Sequence, residues 1–418
     1  MIEQKGFRLL RENAIQSGLC FECGACELVC PKHAIKLKKY SFGRVPELVA
    51  DCQCEDCDLC YRACAAREVP LTAIEEKYFG RTRKHCFPGS TTDGADPDCE
   101  SETGIYKAVY SGYALDKEIH QASVSGGAAS SILIAALESG LIDGALLAGF
   151  DPEVPYEAAP VIATTREEIL ACAGSKYQPH PQLPGLQAAL DKGLRRIAVT
   201  GTPCTILSLR KMMIQKEFDE FTSRIALVLS NICGAHWSRH GTEFLIKQCS
   251  GVELKDVAAL KYRARPFPGD FLITKKDGTE VRNPFVNSLI MQLAKFTPEE
   301  CRYCLEKVAS CADIVFGDTW HHPVLSPDLL GQWTDENAAK DERIALARRG
   351  MTMIVTRNEN GEKFVKNATE RGLLRVFRDT PEDARTFLCQ VHRLGKPVCN
   401  GPVIQSRIVR GQPVREYH

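Results

Sequence analysis

The sequence has no excess of charge of either sign: 53 Lys and Arg stand against 53 Asp and Glu in 418 residues. Such a balance gives no broad electrostatic footprint for nucleic acid. It also lacks an apolar run of membrane-spanning length, because the best stretch, Ile132 to Phe150, is broken by Glu138, Asp143 and several glycines. No direct membrane span is expected. A charged start leading into an apolar run and a cleavage site is missing too, so a cytoplasmic, reducing location is expected, with any membrane attachment through a partner. There is no Gly-x-Gly-x-x-Gly with an acidic residue about twenty positions on, and no lysine-bearing phosphate loop, which argues against a nicotinamide cofactor bound in the usual way. No local Ser-His-Asp or Cys-His arrangement supports hydrolysis. His321 and His322 are adjacent, point apart in an extended chain and have no evident third ligand, so no metal is expected there.

What the chain does have is cysteine, twenty in all. Eight of them fall into two copies of one spacing: Cys20, Cys23, Cys26 and Cys30 before Pro31, then Cys54, Cys57, Cys60 and Cys64. Three thiolates two residues apart wrap one cubane from a tight loop, while the fourth, three residues on, ligates the other cluster. The spacing therefore predicts one [4Fe-4S] cluster on Cys20, Cys23, Cys26 and Cys64, and another on Cys54, Cys57, Cys60 and Cys30. Zinc would need only two pairs of thiolates and leaves the regular triplets unexplained. Ala65 stands where the second run would usually carry proline, a change that removes no ligand. The first 85 residues carry 14 Lys and Arg against 12 Asp and Glu, which favours a built-in wire over an acidic, freely diffusing carrier.

The length exceeds one ordinary core and suggests two or three domains. Residues 1–80 read as an α+β, bacterial-type two-cluster ferredoxin domain. Residues 81–105 read as a linker of Gly, Pro, Asp, Ser and Thr around Cys86 and Cys99. From Tyr106 to 394 the pattern is α/β. Strands are predicted over 108–113, 144–148, 161–164, 196–200 and 225–229, with helices over about 127–139, 183–192 and 206–216. A hairpin is predicted around Asp277-Gly278, a surface excursion or lid over 321–343, and a helix and strand over 341–357. The tail, 395–418, reads as an unstructured end or a docking arm.

Cys301, Cys304 and Cys311 form Cys-x2-Cys-x6-Cys and need a fourth ligand. Cys204, in Gly201-Thr202-Pro203-Cys204 after a strand, offers a rigidly placed one. Taken alone, the group is equally well read as structural cysteines. Cys52, Cys86, Cys99, Cys172, Cys233, Cys249, Cys389 and Cys399 lack ligand spacing and read as buried small hydrophobes, with Cys52 and Cys233 the foremost exceptions. Ser125-Gly126-Gly127 lies between a strand and a helix and either cradles a phosphate or makes a tight turn. Gly174-Ser175-Lys176-Tyr177 combines a cation, a hydroxyl and an aromatic ring, which suits a phosphate, a flavin face or ordinary loop structure.

In order, these pieces are followed by Tyr262-Arg263 before Phe267-Pro268-Gly269, by Ala312-Asp313-Ile314 and by Gly317-Asp318-Thr319-Trp320. The ordered set, over about residues 106 to 380, resembles the family of coenzyme F420 hydrogenase/dehydrogenase beta subunits. With the ferredoxin-like front end it is similar to the electron-input subunit of reduced-F420 dehydrogenases and to the F420-oxidising half of F420-dependent sulfite reductase. The resemblance implies an α/β core of the F420 hydrogenase beta-subunit type that binds FAD and one [4Fe-4S] cluster and uses F420 as substrate. It also implies that Ser125, Gly126 and Gly127 contact the FAD phosphates, that Gly174, Ser175, Lys176 and Tyr177 and Gly201, Thr202 and Pro203 line the flavin, and that Cys204, Cys301, Cys304 and Cys311 hold the cluster. One departure is visible: Leu305 to Ser310 lacks the proline that the family usually carries between its paired cysteines and the Ala-Asp-Ile stretch.

The function expected is hydride exchange between F420 and FAD, with single electrons relayed through three [4Fe-4S] clusters to a partner protein or subunit in a complex or homo-oligomer. Hydride transfer to a flavin demands no side-chain acid or base. Lys176, Arg263 and Asp318 are candidates for orientation and charge tuning, or else ion-pair residues. The competing readings are a ferredoxin-fed reductase of an organic substrate, like the chlorophyll-precursor reductases, and a flavin-free wiring subunit.

Overall fold

The computed structural model describes residues 6–50, 54, 57–84, 100–284, 296–319, 336, 339–340, 345, 349–393 and 396–418, and the side chains of these apart from 390–393 and 396–399. The two cysteine runs fold alike. Each places its third cysteine, Cys26 or Cys60, inside a one-turn helix (Ala25–Leu28 and Leu59–Arg62) entered through a left-handed residue, Gly24 at φ 81° or Asp58 at φ 58°. Between the runs lies an antiparallel hairpin of β1 (Ile35–Lys39) and β2 (Arg44–Leu48). After them come β3 (Glu68–Val69) and the helix Leu71–Phe79.

The core is a mixed sheet of eight strands: β4 (Ala108–Ala114), β5 (Gly144–Phe150), β6 (Ala158–Ala163), β7 (Ile197–Gly201), β8 (Ile225–Asn231), β12 (Ile314–Asp318), β13 (Thr352–Thr356) and β14 (Leu374–Arg378). Their order is β14-β4-β13-β12-β8-β7-β5-β6. β5, β7, β8 and β12 are parallel neighbours; β6 runs antiparallel beside β5 at one edge, and β12, β13, β4 and β14 alternate in direction toward the other. The central strands are apolar on both faces because helices cover both. Leu146, Val199, Val228 and Val315 face the helices Gly185–Asp191, Pro203–Met213 and Pro381–Arg393, and this core continues into Leu10, Leu28 and Ile74 of the N-terminal unit. The alternate residues Ala145, Leu147, Leu227 and Ile314 face the helices Ala128–Glu138, Arg166–Ala171 and Glu359–Glu370. Burying each such Leu, Ile or Val side chain contributes about 1.5–3 kcal/mol.

A smaller antiparallel sheet, β9 (Val257–Ala264), β10 (Asp270–Lys275) and β11 (Glu280–Asn283), carries an aromatic core of Trp237, Tyr262 and Phe271. Its β10–β11 hairpin turns at Asp277-Gly278 as the sequence predicts, with Gly278 at φ 84°.

The predicted core strands are present within two or three residues at each end, but one helix starts earlier than expected. Helix Pro203–Met213 begins three residues before the predicted 206, because Thr202 is its N-cap and Pro203 fits its first position. Cys204 thus lies in a helical first turn. The C-terminal segment is not an unstructured end: helix Lys396–Val409 leads to β15 (Glu416–Tyr417), which pairs in parallel with β3. The bonds His418 N to Val69 O and Thr72 N to His418 O close this arm onto the N-terminal unit. Most of the expected 321–343 excursion and of the helix after 341 falls outside the described residues.

Candidate functional site

Cys30, Cys54, Cys57 and Cys60 line one cleft, with Leu48, Leu59 and Pro31 around them. Cys57 is exposed at it. Burial pushes the Cys60 thiol up to about 12, and the other thiols acting on it are Cys54, Cys57 and Cys30. Cys26 is raised well above the usual thiol range by burial, then by Cys20, Cys23 and Cys64, with Cys60 last. The chain therefore crosses over: the fourth cysteine of each run stands with the triplet of the other. Among the described residues, no three or more His, Cys, Asp or Glu are gathered as around one metal ion. A donor set made of gathered thiols fits an iron–sulfur cluster, whose iron charge would hold the ligands as thiolates.

The inner of these two groups lies against the core. Cys23 O accepts from Leu183 N at 3.0 Å, and a Cβ on Gly24 would overlap the Pro184 ring, so this turn needs glycine for close approach as well as for its φ. Helix Pro203–Met213 presents Cys204, Ser208, Lys211 and the following Gln215 at spacings of one, two and three turns. Ser208 Oγ lies 3.7 Å from Cys23 Sγ and accepts from Ala65 N at 3.1 Å. Lys211 Nζ donates to Cys64 O at 2.8 Å and to Glu68 O at 2.9 Å, and Gln215 Nε2 to Arg62 O at 3.2 Å. A proline at 65 would have no N–H for Ser208, which accounts for the departure from the usual run.

Cys301, Cys304 and Cys311 are buried, and Cys204 is half-buried. Asn400 Nδ2 donates to both Cys301 O and Cys304 O at 2.7 Å. Arg415, on the C-terminal arm, approaches Cys304 Sγ at 3.9 Å; burial lowers its pKa, but Tyr417, Cys304 and Cys204 outweigh this and raise it. Cys204 and Cys304 thus share one cation. Cys311 is held from the helix of Cys204, because Arg210 Nε donates to Cys311 O at 2.8 Å while its Nη2 reaches Asp313 Oδ1 at 2.6 Å. The loop 305–310 is fixed without proline: Glu306 accepts from Ser310 N at 2.7 Å, and Arg357 Nη2 donates to Val308 O at 2.5 Å. Cys233 N donates to Lys307 O at 3.0 Å, which places that cysteine beside the same loop.

A second set of residues gathers at the carboxyl ends of the parallel strands, where open α/β sheets bind ligands. Asp318 ends β12. It accepts from Ser125 Oγ and, at 2.6 Å, from Arg263 Nη1. Burial lowers the Arg263 pKa, but Asp318 and Tyr177 together outweigh it and raise it. Four sequence-predicted residues, Ser125, Tyr177, Arg263 and Asp318, thereby form one polar cluster. Tyr177 also packs against Trp237, with ring centres 4.7 Å apart. Lys176 turns away from the cluster. Its Nζ donates to Cys172 O at 2.6 Å, Gly174 O at 3.1 Å and Ala173 O at 3.3 Å, and burial lowers its pKa to about 8. Gly201 O accepts from Ser230 Oγ at 2.8 Å, and Thr202 Oγ1 lies 3.2 Å from Cys204 Sγ.

The glycine pair divides its work. A Cβ on Gly126 would overlap Gly112 O and stand 2.7 Å from Thr352 N, and its own N–H is bound to Thr352 Oγ1 at 2.9 Å. Gly126 thus serves close packing on the sheet. Gly127, at φ 79°, is the N-cap of helix Ala128–Glu138, whose first turn has no side-chain cap and so fits an anion such as a dinucleotide phosphate. Arg265 braces the loop, with Nη2 donating to Ser125 O at 2.8 Å.

Sequence reasoning missed Ser208, Asn400, Arg415 and Glu157. Glu157 is a buried carboxylate that accepts from Lys39 at 2.6 Å and Arg239 at 2.8 Å and so ties the β1–β2 hairpin to the core. Only the polar stripe on helix Pro203–Met213 left a readable signal. His321, His322, Cys52, Cys86, Cys99 and the Cys399 side chain lie outside the described residues.

The family models for the beta subunit of coenzyme F420 hydrogenase/dehydrogenase match residues 109–187 with the N-terminal part and 194–381 with the C-terminal part. A 4Fe-4S binding domain model matches residues 14–36. The beta subunit of the coenzyme F420 hydrogenase of Methanococcus voltae is 29% identical over 313 residues, 74% of this chain and 98% of that one. A subunit of the F420H2 dehydrogenase of Methanosarcina mazei is 26% identical over 368 residues, 84% of this chain and 92% of that one. Among solved structures, a chain of the F420-reducing [NiFe] hydrogenase complex from Methanosarcina barkeri superposes with a TM-score of 0.56 at 23% identity, covering 75% of this chain and 97% of that one, which establishes a shared fold. The two family models together span most of the eight-stranded core and the strand-end polar cluster, and on that ground this chain belongs to the family of coenzyme F420 hydrogenase/dehydrogenase beta subunits.

Proposed function

We propose that this protein is a flavin and iron–sulfur oxidoreductase that exchanges a hydride between coenzyme F420 and FAD and relays single electrons through three [4Fe-4S] clusters to a partner protein or subunit. Bound FAD would convert two-electron into one-electron chemistry. The chain's own part is placement. Gly127 and the first turn of helix Ala128–Glu138 offer N–H groups to the dinucleotide phosphates, and the Ser125–Asp318–Arg263–Tyr177 cluster orients polar groups at the strand ends. Residues Gly201 to Pro203 run directly into Cys204, so the flavin-lining loop and a cluster ligand are covalent neighbours.

One observation carries the reading. Cys204 stands one helical turn before Ser208, whose Oγ lies 3.7 Å from Cys23 Sγ, so the thiols assigned to the core cluster lie close to those assigned to the inner ferredoxin-like cluster, and exposed Cys57 belongs to the outer group. This ordering suits a wire leading from a buried flavin to the surface. No helix among the described residues is long and apolar enough to cross a membrane, and we assign the protein to the cytoplasm, attached to any membrane complex through its partner.

The test is anaerobic purification followed by mixing with reduced F420 and a one-electron dye, with NADH as comparison donor. F420 oxidation with NADH inert is the expected result. A flavin-loaded sample that ignores F420 would refute the proposal and leave a ferredoxin-fed reductase; a sample without flavin would leave a wiring subunit. Cys204→Ala should lose one cluster's share of iron and keep its FAD, and full iron retention would remove Cys204 from the ligand set.

A further inference from the structure

Ser208 is wholly buried and has two partners on the N-terminal unit: Cys23 Sγ at 3.7 Å and Ala65 N at 3.1 Å. A serine hydroxyl has one hydrogen to give. Its oxygen already accepts from Ala65, which frees that hydrogen for Cys23. When Cys23 is a thiolate ligand, its sulfur can only accept, so the hydroxyl would donate to it. One helical turn earlier on the same face stands Cys204. The serine therefore sits at the junction of two thiol groups, on a helix that carries a predicted core-cluster ligand and also hydrogen-bonds the ferredoxin-like unit through Cys64 O and Ala65 N.

We propose that Ser208 is a positioning residue that raises the reduction potential of the cluster held by Cys20, Cys23, Cys26 and Cys64, and so tunes electron passage from the core into the ferredoxin-like domain. This inference rests on the cluster assignments given above. A hydrogen bond to a ligand sulfur stabilises the more negative reduced cluster, and hydrogen bonding to sulfur is one of the settings of cluster potential. Ala65 belongs to the same device. Only a residue with an N–H at that position fixes the hydroxyl so that its hydrogen points at the sulfur.

The test is a redox titration of the whole protein monitored by electron paramagnetic resonance, in the wild type, Ser208→Ala and Ser208→Cys, with iron and sulfide measured on each. The expected result is full iron in Ser208→Ala, one cluster signal moved to more negative potential and the others unmoved, with Ser208→Cys, a weaker donor, in between. Full iron with no signal moved overturns the proposal, as does an equal movement of all signals, which would mark loosened docking. If Ser208→Ala loses iron, the Ser208→Cys titration decides by the same criteria. Wild-type protein that binds no iron in its N-terminal unit would instead refute the cluster assignments themselves, a distinct outcome.

Discussion

Asp313, the acid of the Ala-Asp-Ile stretch, offers a quantitative test of how the core is held. Its carboxylate is 3% exposed and accepts from Arg210 Nη2 at 2.6 Å, Asn358 Nδ2 at 2.7 Å and Val228 N at 2.8 Å. Arg210 is 1% exposed, so Asp313→Ala would leave its guanidinium buried and without this countercharge. Breaking one side of a buried ion pair costs about 3–5 kcal/mol, and a buried donor left without its acceptor about 1–3 kcal/mol. Partial relaxation makes these losses less than additive, so about 4 kcal/mol is expected, a large share of a total stability of about 5–15 kcal/mol. At a urea slope of roughly 3 kcal/mol/M, the core's unfolding midpoint should fall by about 1.3 M. Because Arg210 also holds Cys311 O, the variant should lose iron from the core group before the N-terminal groups. Adding Arg210→Met should recover part of the midpoint, since the stranded charge is gone. A midpoint drop below about 0.3 M, or a double variant as unstable as the sum of its singles, would refute the ion-pair account.

Three further outcomes are expected. Gly127→Val forces a β-branched residue to φ 79° and sets a side chain against Ser123 Oγ, so FAD content after purification should fall while N-terminal iron is kept; unchanged FAD would remove the phosphate role of this turn. The pKa of Lys176, lowered by burial from 10.5 to about 8, means that the folded state binds fewer protons than the unfolded state between those values, so stability should rise with pH across that window. Lys176→Met should flatten the rise, and an unchanged pH profile would assign it elsewhere. Removing residues 414–418 deletes β15 and Arg415, and should make the core cluster quicker to bleach in air; equal bleaching rates would show that the arm does not shield Cys304.

Much of the candidate site was legible because the cysteine spacing is local. Six of the eight N-terminal cysteines lie within two tight triplets, and the approach of each fourth cysteine to the other triplet is what the spacing predicts. Strand positions were legible for a similar reason, since short, mostly apolar runs between helical stretches report a sheet covered on both faces. The aromatic core of Trp237, Tyr262 and Phe271 was not legible, because it joins residues from a loop and two strands with no shared period. Of the C-terminal arm, docking was one of two open alternatives, but its strand was not legible. β15 is two residues long and pairs with a strand near the other end of the chain, so no local propensity marks it. The start of helix Pro203–Met213 is ambiguous in the sequence for a different reason: proline suits a fixed turn and a first helical position equally well.

The two departures from expected motifs share a physical cause. At Ala65 the usual proline would have stiffened the loop, but it would have removed the N–H that Ser208 accepts. In Leu305 to Ser310, stiffness comes instead from the Glu306 carboxylate on Ser310 N and from Arg357 on Val308 O. Both replacements exchange a rigid ring for hydrogen bonds, and both Ser208 and Arg357 belong to other parts of the fold. A proline holds a loop whatever lies beside it. A hydrogen bond holds it only when the neighbouring element is docked, so at Ala65 and at Val308 the geometry of the thiol loops is made conditional on assembly of the N-terminal unit, the helix of Cys204 and the sheet into one body.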